Sequence, residues 1–463
     1  MKLPPYRYLL AAIYTCALFL DRLDLTIVNI TLPTLAKQFD VALPYTAWVN
    51  TAFLLALAIS IPISSWLGKR FSEKRIFILA IVVLGSTSLL CAFAPNLALL
   101  AGFRFVQGLG GGLLIPVGMS LVYAAFDPSE YASITSFTFI PALIAPAIAP
   151  LLGGLLVDYY GWQWVFLFVF PICLVLTLAA SLIIKPQTQE MPPPLDWKGF
   201  ILAALFLSLL LYSLSNLARN GFNGVFLIQW LLLFIIGGLW FIHERQTPHP
   251  LIALHYFRHR LFMQANWIQL CFQSVHFGAI FLIGIFLQAG LGMSAVAAGA
   301  IMGMQALGAI CVSRYSVKLF KRHGASLPII TGLSGVMLLT PCILLLSHAA
   351  NAVPGLILLF LRGLCSGLCG TPIQTLSVID FPKTEIAAVS AVFNACRQIA
   401  ISLGTALSAL LLAWTIRSNG LLSSNHYAFA FFALSFIALV GIVITTRIDN
   451  RKIIALQTRQ KSA

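Results

Sequence analysis

From residue 8 to residue 446 the chain is a succession of apolar runs of about twenty residues or more, too many for any soluble core to absorb. Only 9% of the residues are charged, and the mean hydropathy is +0.96. A water-facing surface needs roughly 25% charge. Lipid must therefore be the main solvent. In lipid each segment has to satisfy its own backbone hydrogen bonds, and continuous apolar runs do so as helices. An all-α polytopic membrane protein is the fold expected.

Breaks at charged and Pro/Asn-rich stretches divide the chain into fourteen segments, approximately 8–32, 46–68, 76–95, 97–125, 133–157, 164–184, 199–217, 224–242, 264–288, 297–317, 327–347, 353–376, 385–414 and 426–446. The 28 basic residues against 13 acidic ones give a net charge of +15. A nucleic-acid binder would carry such charge on a polar surface, which this chain lacks. The basic residues instead mark topology. With a cytoplasmic N-terminus, 21 of the 28 fall at the termini or in the turns after every second helix. Only Lys37, Arg219 and Arg417 fall on the far side, and Arg22, Arg104, Arg362 and Arg397 lie within spans. This asymmetry predicts an even helix count with both termini cytoplasmic. Met1 to Arg7 and the run after them resemble a signal peptide, but Asp21, Arg22 and Asp24 interrupt the run and no small-x-small cleavage site follows. A retained first helix is expected.

Short loops leave no room for a nucleotide-binding or soluble catalytic domain. Gly108-Leu-Gly-Gly-Gly112 lacks the Lys-Ser/Thr of a phosphate loop and reads as a helix-packing surface. His243-Glu244 has its next histidine at His249, which misses the spacing that puts two imidazoles on one helical face. The nine cysteines form no CxxC pair and read as small packing residues. No metal, cofactor or enzymatic activity is expected. Transport without an ATP motor would draw on an ion gradient or run downhill.

Two stretches recur in order. Leu67-Gly-Lys69-Arg70-Phe-Ser72 follows the second segment, and Val317-Lys-Leu-Phe-Lys321-Arg322-His-Gly324 follows the tenth. Arg104 is followed by glycines and Pro116, and Arg362 by glycines and Pro372. The organisation expected is a six-helix bundle over 1–184, two inserted helices with linkers over 185–262, a second six-helix bundle over 263–446 and a basic tail over 447–463. Duplicated bundles of this kind hold their substrate between them near the midplane and rock about it.

The motifs go further. Leu23-Asp24-Leu-Thr26-Ile-Val-Asn29-Ile-Thr-Leu-Pro33, Arg104-Phe-Val-Gln107-Gly108 and Ala149-Pro150-Leu-Leu-Gly153-Gly154 stand in the first, fourth and fifth segments. Trp162-Gln-Trp164, Glu244-Arg245, Pro250-Leu251, Phe257-Arg258 and Ser390-Ala-Val-Phe-Asn394-Ala-Cys-Arg397-Gln398 follow. Over nearly its whole length the chain resembles the fourteen-helix drug:proton antiporters of the major facilitator superfamily, whose signatures are LDxTIVNVALP, RxxQG and GPxxGG. It departs from them after the second helix, where Ser65, Lys69, Ser72 and Glu73 replace the two Gly, the Asp and the first closing Arg of GxLaDRxGRR; Lys321 repeats the Lys substitution. The fifth segment has Ala145 and Ala149 for glycines and extra prolines at Pro141 and Pro146.

The resemblance implies the major facilitator fold, and proton-coupled export of hydrophobic or amphipathic compounds by alternating access. It implies a bacterial cytoplasmic (inner) membrane, a monomer, a small hydrophobic or cationic substrate and protons as partners, and no nucleic acid. Lys69, Arg70, Pro150, Gly153, Gly154, Lys321 and Arg322 would be its conformational motifs. An exporter of one endogenous metabolite, such as a siderophore, would share every motif. A sensor or scaffold without transport is disfavoured by the cost of embedded Asp24 and Arg104.

Only Asp21 and Asp24 among the acids sit well inside a span. Embedded carboxyl groups face a cavity, pair, or take up a proton. Desolvation favours the protonated form of a carboxyl group and a nearby guanidinium the ionised form, the tension a proton exchanger needs. Asp24 is the proposed coupling group, Arg104 its tuner and Asp21 the second candidate. The alternative is a static pair with Arg22 or Arg104. Asn29, Gln107, Gln269, Gln273, His276, Asn394 and Arg397 are candidates for the substrate cavity; Gln269, Gln273 and His276 share one helical face. Structural hydrogen bonding is the competing role for His276, Arg362 and Arg397.

Overall fold

Wherever the apolar runs meet a polar residue able to cap a helix, a helix begins. Asn96, Asp196, Asn223 and Ser294 each accept from the backbone N–H three residues on, satisfying a donor that lipid could not. The computed structural model describes residues 6–126, 131–185, 194–247, 254–346, 352–381, 386–419, 424–450 and 453. Among these are sixteen α-helices: α1 (Tyr6–Ile27), α2 (Leu32–Gln38), α3 (Ala47–Phe71), α4 (Glu73–Ala92), α5 (Leu97–Ala125), α6 (Tyr131–Tyr160), α7 (Trp164–Leu167), α8 (Val169–Ile183), α9 (Trp197–Asn220), α10 (Gly224–Gln246), α11 (Arg260–Ile285), α12 (Ala295–His323), α13 (Ser326–Leu339), α14 (Ala352–Val378), α15 (Ile386–Asn419) and α16 (Ser424–Thr446).

Among the described residues, twelve apolar stretches are long enough to cross a membrane: α3, α4, α5, α7 with α8, and α9 through α16. The fourteen-segment division differs at α1 and α6. In α1, Arg7, Asp21, Arg22 and Asp24 lower the apolar character of a 22-residue helix. In α6, Ile144–Tyr160 forms a shorter apolar stretch. Helices α2 and α7 are short; α2 follows α1 after the turn at Val28–Ile30, and α7 leads into α8.

Packing repeats between the halves. Helix α5 packs on α3 and α4 as α14 packs on α12 and α13; α1 lies against α6 and α8 as α11 lies against α15 and α16. The halves touch through α6 with α12 and α3 with α15. Helix α9 lies on α15 and α3, and α10 packs on α9, leaving residues such as Leu227 and Phe234 exposed to lipid.

The two basic turns share a backbone feature. Between α3 and α4, Ser72 has φ +82°, and between α12 and α13, Gly324 has φ +79°. Only the second position carries the residue that tolerates this conformation. A side chain at such an angle costs on the order of 1–3 kcal/mol. Ser72→Gly is expected to stabilise the protein by about 1 kcal/mol after the extra chain entropy of glycine, read as a higher Tm of the purified protein.

Burial differs between the two ends of the bundle. Away from the termini one cluster joins both halves, with Leu23, Ile27 and Ile30 beside Phe281, Ile285, Met302, Tyr427 and Phe431. Toward the end carrying Tyr6 and Thr446 there are two separate clusters. Leu10, Phe77, Val117 and Ala180 belong to the first half; Phe262, Ile329, Ile373 and Ala438 belong to the second. The halves are thus sealed at the face opposite the termini.

Glycine makes that seal possible. A Cβ on Gly154 would strike the backbone at Ala295 and Val296, one on Gly299 the Pro150 carbonyl, and one on Gly303 the Ala147 carbonyl. Beside them Asp158 of α6 caps α12, accepting from Val296 N at 2.9 Å and Ala295 N at 3.3 Å. A carboxylate at a helix N-terminus gains from both the orphan donors and the dipole. Asp158→Ala is therefore expected to loosen this face. In an Ala298→Cys background, where residue 298 is fully buried in the wild-type protein, the substitution should raise labelling by a membrane-impermeant maleimide several-fold.

Candidate functional site

Helix α1 carries Asp21, Arg22 and Asp24 in its last two turns, next to the point where regular helix ends. After Ile27 the chain tightens into a 3₁₀ turn at Val28–Ile30, and α2 restarts with Pro33 in its first turn. Asn29 lies in this break. Its side-chain amide donates to the Thr26 carbonyl, and its oxygen accepts from Asn50 Nδ2 of α3 at 2.7 Å.

One turn earlier, Asp24 meets α5. Arg104 Nη1 donates to Asp24 Oδ2 at 2.6 Å and to Gln107 Oε1 at 2.7 Å, and both charged side chains are fully buried. Gln107 Nε2 lies 3.5 Å from Asp24 Oδ1 and 3.5 Å from the Leu84 carbonyl. Arg104 Nε donates to the Val49 carbonyl at 3.4 Å, and its guanidinium stands 4.1 Å from the centre of the Phe53 ring. These two partners come from α3, which α5 approaches closely because Gly108 lies against the Phe53 carbonyl and Gly112 against Leu57 and Ser60. The glycine run is thus a packing surface that brings a cation to a carboxylate, a backbone carbonyl and a ring.

Asp21 lies one turn before Asp24 and faces Gly111, where a Cβ would crowd its Oδ1 at 2.6 Å. It is 1% exposed, and neither carboxylate oxygen has a hydrogen-bond partner among the described residues. Arg22 Nε, 3.9 Å from Oδ2, supplies its counter-charge.

The second half has an arginine in the matching helix but a different partner set. Fully buried Arg362 of α14 donates from Nε to Thr340 Oγ1 at 3.0 Å and from Nη1 to Gln305 Oε1. Gln305 Nε2 lies 3.4 Å from His276 Nε2. A hydroxyl, an amide and an imidazole stand where the first half has a carboxylate.

Of the residues singled out from sequence, Asp24, Arg104 and Gln107 form one cluster, with Asp21 a turn away. His276 joins Arg362 through Gln305. Gln269 is buried and Gln273 half-buried on the same helix, without a hydrogen bond to that cluster among the described residues. Asn394 donates to its own helix at Ser390, and half-buried Arg397 has an unpartnered Nε. Gly153 packs on Ile27 of α1 and on Ile30 in the 3₁₀ turn after it, and Pro150 and Gly154 meet α12. Lys69, Arg70, Lys321 and Arg322 are exposed at the ends of α3 and α12. Sequence reasoning missed Asn50, Phe53, Thr340 and Asp158, whose roles arise only when helices distant in sequence come together.

Residues 14–405 match the family model described as Major Facilitator Superfamily. The chain belongs to that superfamily. It is a multi-pass membrane transporter and not an enzyme. It is similar to the putative multidrug resistance protein MdtD of Escherichia coli O81 (strain ED1a), 27% identical over 96% of each chain. It is also similar to a multidrug resistance protein B homolog of Mycobacterium tuberculosis (strain CDC 1551 / Oshkosh), 29% identical over 89% of this chain and 78% of that one. Two solved structures share its fold. A bacterial homolog of the human lysosomal transporter Spinster, inward-facing and unoccupied, superposes with a TM-score of 0.68 at 15% identity, covering 99% of this chain and 98% of that one. A D-xylose–proton symporter also gives 0.68, at 11% identity over 97% and 99%.

Within this superfamily member the Asp24–Arg104 pair can be tested as a unit. Removing one partner of a buried ion pair strands the other charge, at about 3–5 kcal/mol. Arg104→Leu alone should lower stability by about that amount. Adding Asp24→Asn to it should recover most of the loss, read by thermal unfolding of the purified variants.

Proposed function

We propose that this transporter exports hydrophobic or amphipathic compounds from the bacterial cytoplasm in exchange for protons, by alternating access. The observation that carries the reading is the Asp24–Arg104–Gln107 cluster, a fully buried carboxylate held by a guanidinium and an amide beside the interface between the halves. Structural arginines need no carboxylate that can titrate, as Arg362 illustrates. A proton on Asp24 dissolves the ion pair and releases Arg104, so protonation and helix contacts are linked. Asp21 is the second coupling candidate, since no donor holds it ionised except its neighbour Arg22 at 3.9 Å.

The reading counts α1 and α6 as spans alongside the twelve apolar ones, making fourteen in the manner of the drug:proton antiporter family. The boundaries are 1–184 and 263–446 for the six-helix bundles, 185–262 for an inserted pair α9–α10, and a basic tail over 447–463. The matching helix pairings of α1–α8 and α11–α16 support this division. The basic residues in alternate turns support cytoplasmic termini in the inner membrane. With that orientation the separate clusters lie on the cytoplasmic side and the seal on the outer side, an inward-facing arrangement. Asn29, Gln107, Gln269, Gln273, His276, Asn394 and Arg397 are the proposed cavity residues, and the chain acts as a monomer. The names of the multidrug resistance relatives support the breadth of substrate.

Everted vesicles provide the test. Adding a substrate to energised vesicles should release protons from the lumen, and Asp24→Asn, which keeps the shape and removes the titration, should abolish that release while the protein remains inserted. Proton release at the wild-type rate in Asp24→Asn would falsify the coupling role.

A further inference from the structure

The charge ledger inside the membrane is unbalanced. Four arginines lie within spans, Arg22, Arg104, Arg362 and Arg397, against Asp21 and Asp24. Asp24 is engaged by Arg104, and Asp21 lies beside Arg22. Arg362 is closed off and bonded to Thr340 and Gln305. Arg397 differs from all of these. It is half-buried, its Nε is buried without a partner, and no carboxylate pairs with it among the described residues. An embedded guanidinium left in that condition is costly unless something else pairs with it.

Its position suggests what does. Arg397 on α15 and Arg22 on α1 come from opposite halves. Arg22 precedes Leu25 by three residues and Arg397 precedes Ile401 by four. Leu25 and Ile401 belong to one small cluster with Phe53 and Phe277, which joins the two halves. The arginines therefore sit about one turn nearer the terminal face, where the halves part into separate cores. Asn394 adds a half-buried side-chain amide on the same helix. Two like charges facing one gap repel, and an anion between them converts the repulsion into two charge-assisted hydrogen-bonded contacts.

We propose that Arg22 and Arg397 together form an anion subsite in the gap between the half-bundles. Its ligand is an amphipathic organic anion with a carboxylate or sulfonate on the two guanidinium groups and an apolar body against Leu25, Phe277 and Ile401. This deepens the export reading and rests on it for the direction of transport, while binding itself does not depend on proton coupling. It also departs from the cationic substrate that the family resemblance implies.

The test uses purified full-length protein in nanodiscs, with taurocholate and decanoate as anionic probes and tetraphenylphosphonium as a cationic one. Calorimetry should detect both anions, undisplaced by the cation. Arg397→Gln and Arg22→Gln should each weaken anion binding on the order of tenfold, with Arg397→Lys between these and wild type. Arg397→Gln should also leave Tm of the ligand-free protein equal or higher, because it removes an unpaired buried charge; a purely structural arginine would lower it. Unchanged anion affinity in Arg397→Gln, or no binding of either anion to the wild type, overturns the proposal. Everted vesicles separate the two readings. Proton release evoked by tetraphenylphosphonium, with no calorimetric binding of either anion, keeps the export reading and overturns the anion subsite, whereas anion binding with no proton release evoked by any of the three probes does the reverse.

Discussion

Everything near the centre of the first half is arranged around one fully buried ion pair, Asp24 with Arg104. In lipid neither charge could be left alone, so the partners fix which face of α1 meets α5. The glycines of α5 follow from that demand. Gly108 and Gly112 let α3 approach closely enough to supply the Val49 carbonyl and the Phe53 ring, and Gly111 leaves room for Asp21. Such a pair is weak evidence for stability, because desolvating two charges costs about what their attraction returns. What it provides is register.

A second constraint acts between the halves. Helices α6 and α12 come close enough for backbone contact at Gly154, Gly299 and Gly303, and Asp158 closes the contact by capping α12. Carbonyl-to-glycine contact is all or nothing on the scale of a side chain, so this interface has one tight arrangement and cannot yield gradually. The opposite end lacks any comparable junction among the described residues. Rigid halves with one tight seam and one open end are what rocking about the midplane requires.

Twelve of the fourteen spans, the basic turns and the Asp24–Arg104 contact were legible in the sequence, because apolar length, charge placement and rare embedded polar residues are one-dimensional signals, whereas Gln107, expected in the substrate cavity, is bonded to Arg104. Helix α1 shows the limit of such signals. The charges that make it the coupling candidate are those that weaken its apolar character. Cross-helix partners were not legible. Nothing in the order of residues pairs Asn29 with Asn50, Arg362 with Thr340, or Asp158 with the backbone of residues 295 and 296, since each depends on which faces touch. The Lys69 and Lys321 departures were readable as departures only. By contrast, the duplicated turns share a positive φ, which Ser72 holds and Gly324 adopts freely.

The halves share a scaffold and differ in charge. Arg104 meets a carboxylate, while Arg362 meets a hydroxyl and an amide backed by His276. A duplicated bundle with acids in both halves would offer titratable groups on either side of the interface. Here the acids near the middle of the described spans, Asp21 and Asp24, lie on α1, and the second half presents Arg362 and Arg397 as fixed positive charge. The carboxylates thus lie in one half, and arginines with no carboxylate partner among the described residues in the other. In the proposed export cycle, a substrate between the halves faces this difference in charge across the interface.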